Sequence, residues 1–266
     1  MHNNRHRPRK RFGQNFLHDP GVIDHIIHVI DPRPDQHFVE IGPGLGALTR
    51  PLLRTVGELD VVEIDRDIIP LLRESCSAYG ELRIHNQDAL KFDFTALATD
   101  QSLRVIGNLP YNISSPLIFH LLTQLAVIRD MHFMLQKEVA ERLAAAPGTK
   151  RYGRLSVMVQ CLCAVELLFT VGPGAFKPAP KVDSAVVRLS PHRQAPIQVD
   201  DQKRFAELVN QAFSQRRKTL RNALKGLLTA EQIAALAIDP SRRPETLSLA
   251  EYALLSNALQ RNEDKE

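Results

Sequence analysis

The chain has 266 residues, 44% of them apolar and 24% charged, with a formal net charge of +4 and a sequence pI near 9.0. That length and apolar content suffice for one large domain plus a smaller one, and no window approaches the roughly 18 uninterrupted apolar residues of a membrane span. Three cysteines without a CxxC pair argue against a disulfide framework or a zinc site, and ten scattered histidines show no metal-ligand spacing, so no metal is expected.

In chain order, the first feature is a run of cations, Arg5, Arg7, Arg9, Lys10 and Arg11, with no acid among them and no apolar segment of a secretory signal after them. From about residue 36 to 136, short β-rich apolar runs alternate with helical stretches, the pattern of a doubly wound α/β sheet. Strands are predicted over 37–41, 59–64, 82–85, 103–107 and 131–135. Helices are predicted over 45–56, 67–78, 116–125 and 137–145. A helix near 154–163 and strands near 165–171 and 185–189 complete a seven-stranded sheet. The segment from Gly172 to Pro180 is too short for a crossover helix, so the last two strands are expected as a long-looped antiparallel hairpin.

After Pro191 the sequence becomes almost purely helical, placing a boundary near residue 193: a domain over 1–192 and a helical one over 193–266. Phe205, Leu208, Val209, Ala212 and Phe213 recur at i, i+3, i+4, i+7 and i+8, one apolar helix face. Leu220, Leu224 and Leu227 then share one side of an expected helix, while Lys218, Arg221 and Lys225 form a basic stripe on another. With Arg216 and Arg217 these make a second cationic cluster; two such clusters so far apart in sequence suggest a polyanionic partner, and with a nucleotide-type cleft between them nucleic acid is the better reading.

Two motifs carry chemistry. The run Glu40-Ile41-Gly42-Pro43-Gly44-Leu45-Gly46-Ala47 lies where the first strand turns into the first helix, so its glycines let the backbone approach a ligand. Some twenty residues on, Glu63 ends the second strand, placed to accept from the hydroxyls of a ribose; Asp88 follows the third, placed for an adenine amino group. Gly42, Gly44 and Ala47 also satisfy the looser dinucleotide fingerprint, so the loop alone does not decide between NAD and S-adenosylmethionine. The extra Gly46 and the acidic Glu40, unsuited to a pyrophosphate but suited to a cationic amino group, tilt it to the latter.

The second motif, Asn108-Leu109-Pro110-Tyr111, follows the fourth strand. Pro110 lacks an N–H and pushes Leu109 into an extended conformation, so nearby carbonyls can face a cleft. Two acceptors and an aromatic face suit the exocyclic amine of a nucleobase. Adenine's amine is a poor nucleophile because its lone pair is delocalised. Acceptors on both N–H bonds, from Asn108 and the carbonyl of Leu109 or Pro110, would reorient that pair, and this positioning needs no strong general base. A strand-ending proline turn with a packed Tyr111 is the bland alternative.

With these motifs in order, the chain resembles the small-subunit ribosomal RNA adenine dimethyltransferases of the KsgA/RsmA family and, more distantly, the Erm and mitochondrial transcription factor B relatives. The resemblance rests on Arg11 to Leu17, Glu40 to Gly46, Val62 to Asp65, Asn108 to Tyr111, Phe176 to Ser184 and Phe213 to Leu220. It implies a seven-stranded, Rossmann-like class I methyltransferase sheet with a smaller C-terminal all-helical domain that binds RNA. It further implies that Asn15 and Leu17 reach over bound S-adenosylmethionine, that Gly42 lines its amino-acid end, Glu63 its ribose and Asp88 its adenine, and that Gly44 and Ile64 also bind the cofactor. Asn108 is expected to touch cofactor and target base together, Tyr111 to stack on the base, Phe176 to supply a second apolar wall, and Lys218, Arg221 and Lys225 to hold RNA. The implied activity is dimethylation of two adjacent adenosines in the 3′-terminal hairpin of 16S rRNA, within the small subunit or its precursor, by a cytoplasmic monomer. An Erm-like enzyme of the large subunit, or an assembly factor of the same fold without turnover, is the alternative.

Overall fold

The computed structural model describes residues 15–98, 101–215 and 217–263. The basic run from Arg5 to Arg11, and Arg216, lie outside the described residues. The elements are, in order, β1 (Phe16–Leu17), α1 (Pro20–Ile30), β2 (Phe38–Ile41), α2 (Thr49–Val56), β3 (Glu58–Val62), α3 (Ile69–Cys76), β4 (Glu81–His85), β5 (Leu103–Asn108), α4 (Ser114–Leu122) and β6 (Ile128–Gln136). There follow α5 (Lys137–Leu143), α6 (Arg154–Leu162), β7 (Cys163–Val171), β8 (Phe176–Lys177), β9 (Ser184–Pro191), α7 (Gln202–Ser214), α8 (Leu220–Ala223), α9 (Ala230–Ala235) and α10 (Leu249–Glu263).

Seven strands form one sheet in the order β4-β3-β2-β5-β6-β9-β7. Strands β2 to β6 pair in parallel, and β9 runs antiparallel to β6, with Phe133 opposite Val187. Strand β2 is buried at every position and β5 at all but Asn108, as expected of parallel strands covered on both faces. Helix α1 starts on Asp19, whose carboxylate accepts from the Val22 N–H, with Pro20 in the first turn; it turns Ile26 and Ile30 into the core.

Three local expectations change. The first crossover helix begins at Thr49 rather than at 45, because Gly44 and Gly46 take φ of +56 and +82 and cannot join a right-handed helix. The 172–180 segment is more than a loop: β8 within it pairs antiparallel with β1, placing Phe16 opposite Lys177 and Leu17 opposite Phe176. The helix expected to run through Leu227 stops at Ala223, since the chain turns at Gly226 with φ +92, and Lys225 therefore lies in a turn instead of on a helical stripe.

By contact density the chain divides into two compact units. One comprises the described residues of Met1–Ala140 with Glu166–Pro191; the other comprises Glu141–Val165 with those of His192–Glu266. The sequence places 141–165 with the sheet. By this division they go with the helices, where the Gly148 N–H donates to the Glu245 carbonyl at 2.7 Å. In the helical unit, Phe205, Leu208, Val209 and Ala212 of α7 are fully buried, and the Tyr252 hydroxyl donates to the Pro244 carbonyl at 2.8 Å. Cys76, Cys161 and Cys163 are buried free thiols, the last two pushed up by burial to about 11 and about 12.

Candidate active site

Strand order reverses between β2 and β5, and in open α/β sheets ligands bind at such a switch point, beyond the carboxyl ends of the strands. There the first unit holds a cleft of about 690 Å³. Every cofactor candidate from the sequence lines it: Asn15, Leu17, Gly42, Gly44, Glu63, Ile64, Asp88 and Asn108, together with Leu109, Pro110 and Tyr111.

The glycine turn forms its floor. Gly42 has φ +65 and donates its N–H to the Val62 carbonyl at 2.9 Å, tying the loop to the end of β3. At Gly44 a Cβ would stand 3.0 Å from Cδ1 of Phe16, so the β1 segment lies directly on the glycine loop. Gly107 shows a closer approach still: a Cβ there would stand 2.6 Å from the Ile41 carbonyl oxygen, and its absence lets β5 deliver Asn108 beside β2.

Two carboxylates enter the cleft from neighbouring strands. Glu40, 2% exposed, accepts the Thr49 hydroxyl at 2.6 Å. Burial raises its carboxyl to about 7, opposed by the Thr49 bond and reinforced by the negative charge of Glu63. Glu63 is also raised by burial, although it accepts main-chain N–H groups, Asp65 at 2.7 Å among them. Two buried acids with no paired cation among the described residues, at the end of a parallel sheet, form a site that favours a positively charged or hydroxyl-rich ligand. Asp88 spends one oxygen on the Leu90 N–H at 3.0 Å. Leu45 and Ile64, 39% and 47% exposed, give the cleft apolar surface for a flat ring.

On the other side, the Asn108 amide donates to the Asn15 carbonyl at 2.9 Å. The Leu109 N–H is held by the Met134 carbonyl at 3.1 Å, and the Pro110 carbonyl accepts the Ile113 N–H at 3.2 Å. Tyr111 is half-buried with its hydroxyl 2.8 Å from that of Ser184. Burial pushes the phenol up, partly countered by this bond, so it stays neutral through the physiological range.

Phe176 departs from expectation. It is 3% exposed and packs in the core with Leu17 and Val171, because alternation along β8 turns it inward and Lys177 toward the cleft. Sequence reasoning missed Lys177 and Phe16 as lining residues, although both lie inside quoted motifs; only the β1–β8 register reveals them. Thr49 was missed for want of any local signal. Lys218, Arg221 and Lys225 all lie in the second unit, exposed and without an ion pair among the described residues. Also among the described residues, no cluster of three or more His, Cys, Asp or Glu could hold a metal ion, and no helix is long and apolar enough to cross a membrane.

Comparison with known proteins matches residues 5–261 to the family described as ribosomal RNA adenine dimethylase. The chain belongs to that family. It is an enzyme of the rRNA adenine dimethyltransferase type, and family and fold together imply S-adenosylmethionine as methyl donor. The ribosomal RNA small subunit methyltransferase A of Marinobacter nauticus is 58% identical over 254 residues, covering 96% of this chain and 92% of that protein. The protein of the same name from Nitrosococcus oceani is 59% identical over 252 residues, 94% of this chain and 96% of that one. Among solved structures, a dimethyladenosine transferase from Plasmodium falciparum superposes with a TM-score of 0.78 at 27% identity, covering 94% of this chain and 98% of that one. The 23S rRNA methyltransferase ErmE gives 0.71 at 26%, covering 92% and 100%.

Proposed function

We propose that this family member dimethylates the N6 amino groups of two adjacent adenosines in the 3′-terminal hairpin of 16S rRNA, acting on the small subunit or its precursor as a cytoplasmic monomer. The observation that carries the chemistry is that Asn108 and Leu109 both line the cleft that also holds Glu40 and Glu63. The Asn108 Nδ2 is committed to the Asn15 carbonyl, which leaves Oδ1 to accept. The Pro110 carbonyl already serves a turn, so of the two main-chain candidates Leu109 is the better acceptor.

The residues present fit S-adenosylmethionine. Glu40 suits an α-ammonium, Glu63 retains acceptor capacity for ribose hydroxyls beyond its main-chain bonds, and the positive-φ glycines open the floor. When bound, the cofactor supplies an electrophilic methyl group on a sulfonium. Asn108 Oδ1 and the Leu109 carbonyl each accept one N6–H bond of adenine, turning the nitrogen lone pair out of the ring and toward the cofactor. The nitrogen becomes cationic on alkylation and loses its proton to water, so a neutral Asn suffices and no base is needed. Tyr111 offers a face for the base, a contact worth roughly 1–3 kcal/mol.

Identities of 58–59% to proteins named for the small subunit, against 26% to one named for 23S rRNA, favour 16S rRNA. Labelled S-adenosylmethionine supplied with undermethylated 30S subunits and, separately, with 50S subunits, followed by mapping of the modified nucleotides, tests this. Two neighbouring dimethyladenosines in the 30S sample are expected. Label in 50S subunits alone overturns the reading.

A further inference from the structure

The segment ending in Ser184 is one of the motifs on which the family resemblance rests, yet the methyl-transfer chemistry leaves it without a task. Ser184 is fully buried, and its Oγ lies 2.8 Å from the phenol oxygen of Tyr111, 73 residues away in sequence. Its backbone is fixed against the end of β6. Ser184 opens β9 opposite Gln136 of β6, and the Lys137 N–H donates to the Asp183 carbonyl at 3.0 Å.

Tyr111 is held at its other end as well: its main-chain carbonyl accepts the Ser114 hydroxyl at 3.2 Å, at the start of α4. An aromatic ring on a strand-to-helix turn can rotate about its side-chain bonds. A hydrogen bond at the phenol oxygen, to a residue of the rigid sheet, fixes the long axis of the ring, and because the phenolic O–H prefers the ring plane it also biases rotation about that axis. We propose that Ser184 is a positioning residue: through its hydroxyl it fixes the long axis of the Tyr111 ring, and with it the platform against which the target adenine stacks. This rests on the reading that Tyr111 meets the adenine, and it deepens that reading by naming what orients the platform. The phenol, kept neutral by burial, serves as a tether and not as a proton acceptor.

The test compares Ser184→Ala, Tyr111→Phe and the double variant in the full chain, with undermethylated 30S subunits as substrate. Each single change is expected to lower kcat/KM for the subunit about three- to tenfold, the loss of one neutral hydrogen bond, while the Kd of S-adenosylmethionine, read by calorimetry, stays within about twofold. The double variant is expected to be no worse than either single one, because both remove the same bond. A 2-aminopurine at the target position, quenched when it stacks, should be quenched less by both single variants and to the same degree. Should Ser184→Ala fold poorly, Tyr111→Phe carries the test, since it removes the tether and leaves β9 untouched. Tyr111→Phe turning over like the parent, or additive losses in the double variant, overturns the proposal. Failure of the parent protein to label 30S subunits at all would instead overturn the functional reading, so the two failures are distinguishable.

Discussion

The side-chain amide of Asn108 donates to the main-chain carbonyl of Asn15 across 93 residues of sequence, at 2.9 Å. The bond joins the end of the fourth parallel strand to the segment that lies over the glycine loop. It also decides which way the amide faces, since the nitrogen is committed and only the oxygen remains to accept. Asn108→Ala should therefore cost on the order of 10²–10³ in kcat, the scale of losing a fixed acceptor or donor at a reacting centre. Asn108→Asp keeps an acceptor but cannot donate to Asn15, and it should recover less than a tenth of the lost activity. Single-turnover methylation of 30S subunits measures both.

Glu40 predicts a pH dependence in cofactor binding. Its carboxyl is raised by burial to about 7, so in the free enzyme it is largely protonated below that value. A cationic amino group beside it favours the ionised form, and binding then releases a proton. Affinity for S-adenosylmethionine should fall as pH drops through about 7, approaching tenfold per pH unit below it. It should fall again where the ligand's own α-amino group deprotonates, near 8. Calorimetry across this range checks the shape; Glu40→Gln should abolish the acid limb and keep the alkaline one. For stability of the free protein the sign is opposite: the raised carboxyl favours the folded state at low pH, and that advantage is lost as pH rises from 4.5 to about 7.

Two glycines separate strain at the site from strain in the sheet. Gly107→Ala would put a Cβ 2.6 Å from the Ile41 carbonyl, a backbone atom that cannot step aside, and should cost about 1–3 kcal/mol of stability with a matching fall in Tm. At Gly44 the obstacle is the Phe16 ring at 3.0 Å, on a backbone with φ +56. Gly44→Ala should weaken cofactor binding more than it lowers Tm, and adding Phe16→Ala should return part of the lost affinity. Paired melting curves and cofactor titrations distinguish the two.

The cations of the helical unit should act on RNA binding and its salt response alone. Replacing Lys218, Arg221 and Lys225 by Ala should flatten the slope of log affinity against log salt by about 0.7–0.9 for each phosphate that is no longer neutralised. Cofactor affinity should not change. An unaltered slope in filter-binding titrations would remove these residues from the RNA interface.

The sheet was readable in the sequence because parallel buried strands leave apolar runs such as Leu103 to Gly107, and because the glycine turn follows one of them. The cofactor-side candidates from Gly42 to Asn108 were equally readable, since each sits at the end of such a run. What escaped was set by pairing at a distance. Phe176 reads as an aromatic available to a base, yet the antiparallel match of Leu17 with Phe176 turns it into the core and gives Lys177 the cleft. The α8 helix looked long because Leu220, Leu224 and Leu227 keep helical spacing. Main-chain bonds from Leu220 and Arg221 to the carbonyls of Arg242 and Pro240 anchor its first turn, and the chain then turns away at Gly226, with φ +92. Periodicity reports which face is apolar; it does not report where the helix ends.

The two-residue ribbon of β1 and β8 has a practical consequence for anyone who cuts or grafts this chain. Deleting the leading segment through Leu17, to strip its run of cations, also removes the strand partner of Phe176 and Lys177. The stretch leading to Ser184 would then lose a mooring although nothing near it in sequence had been touched. Residues 15–17 and 176–177 should therefore be transplanted, trimmed or recombined together, as a single spare part supplied in two pieces.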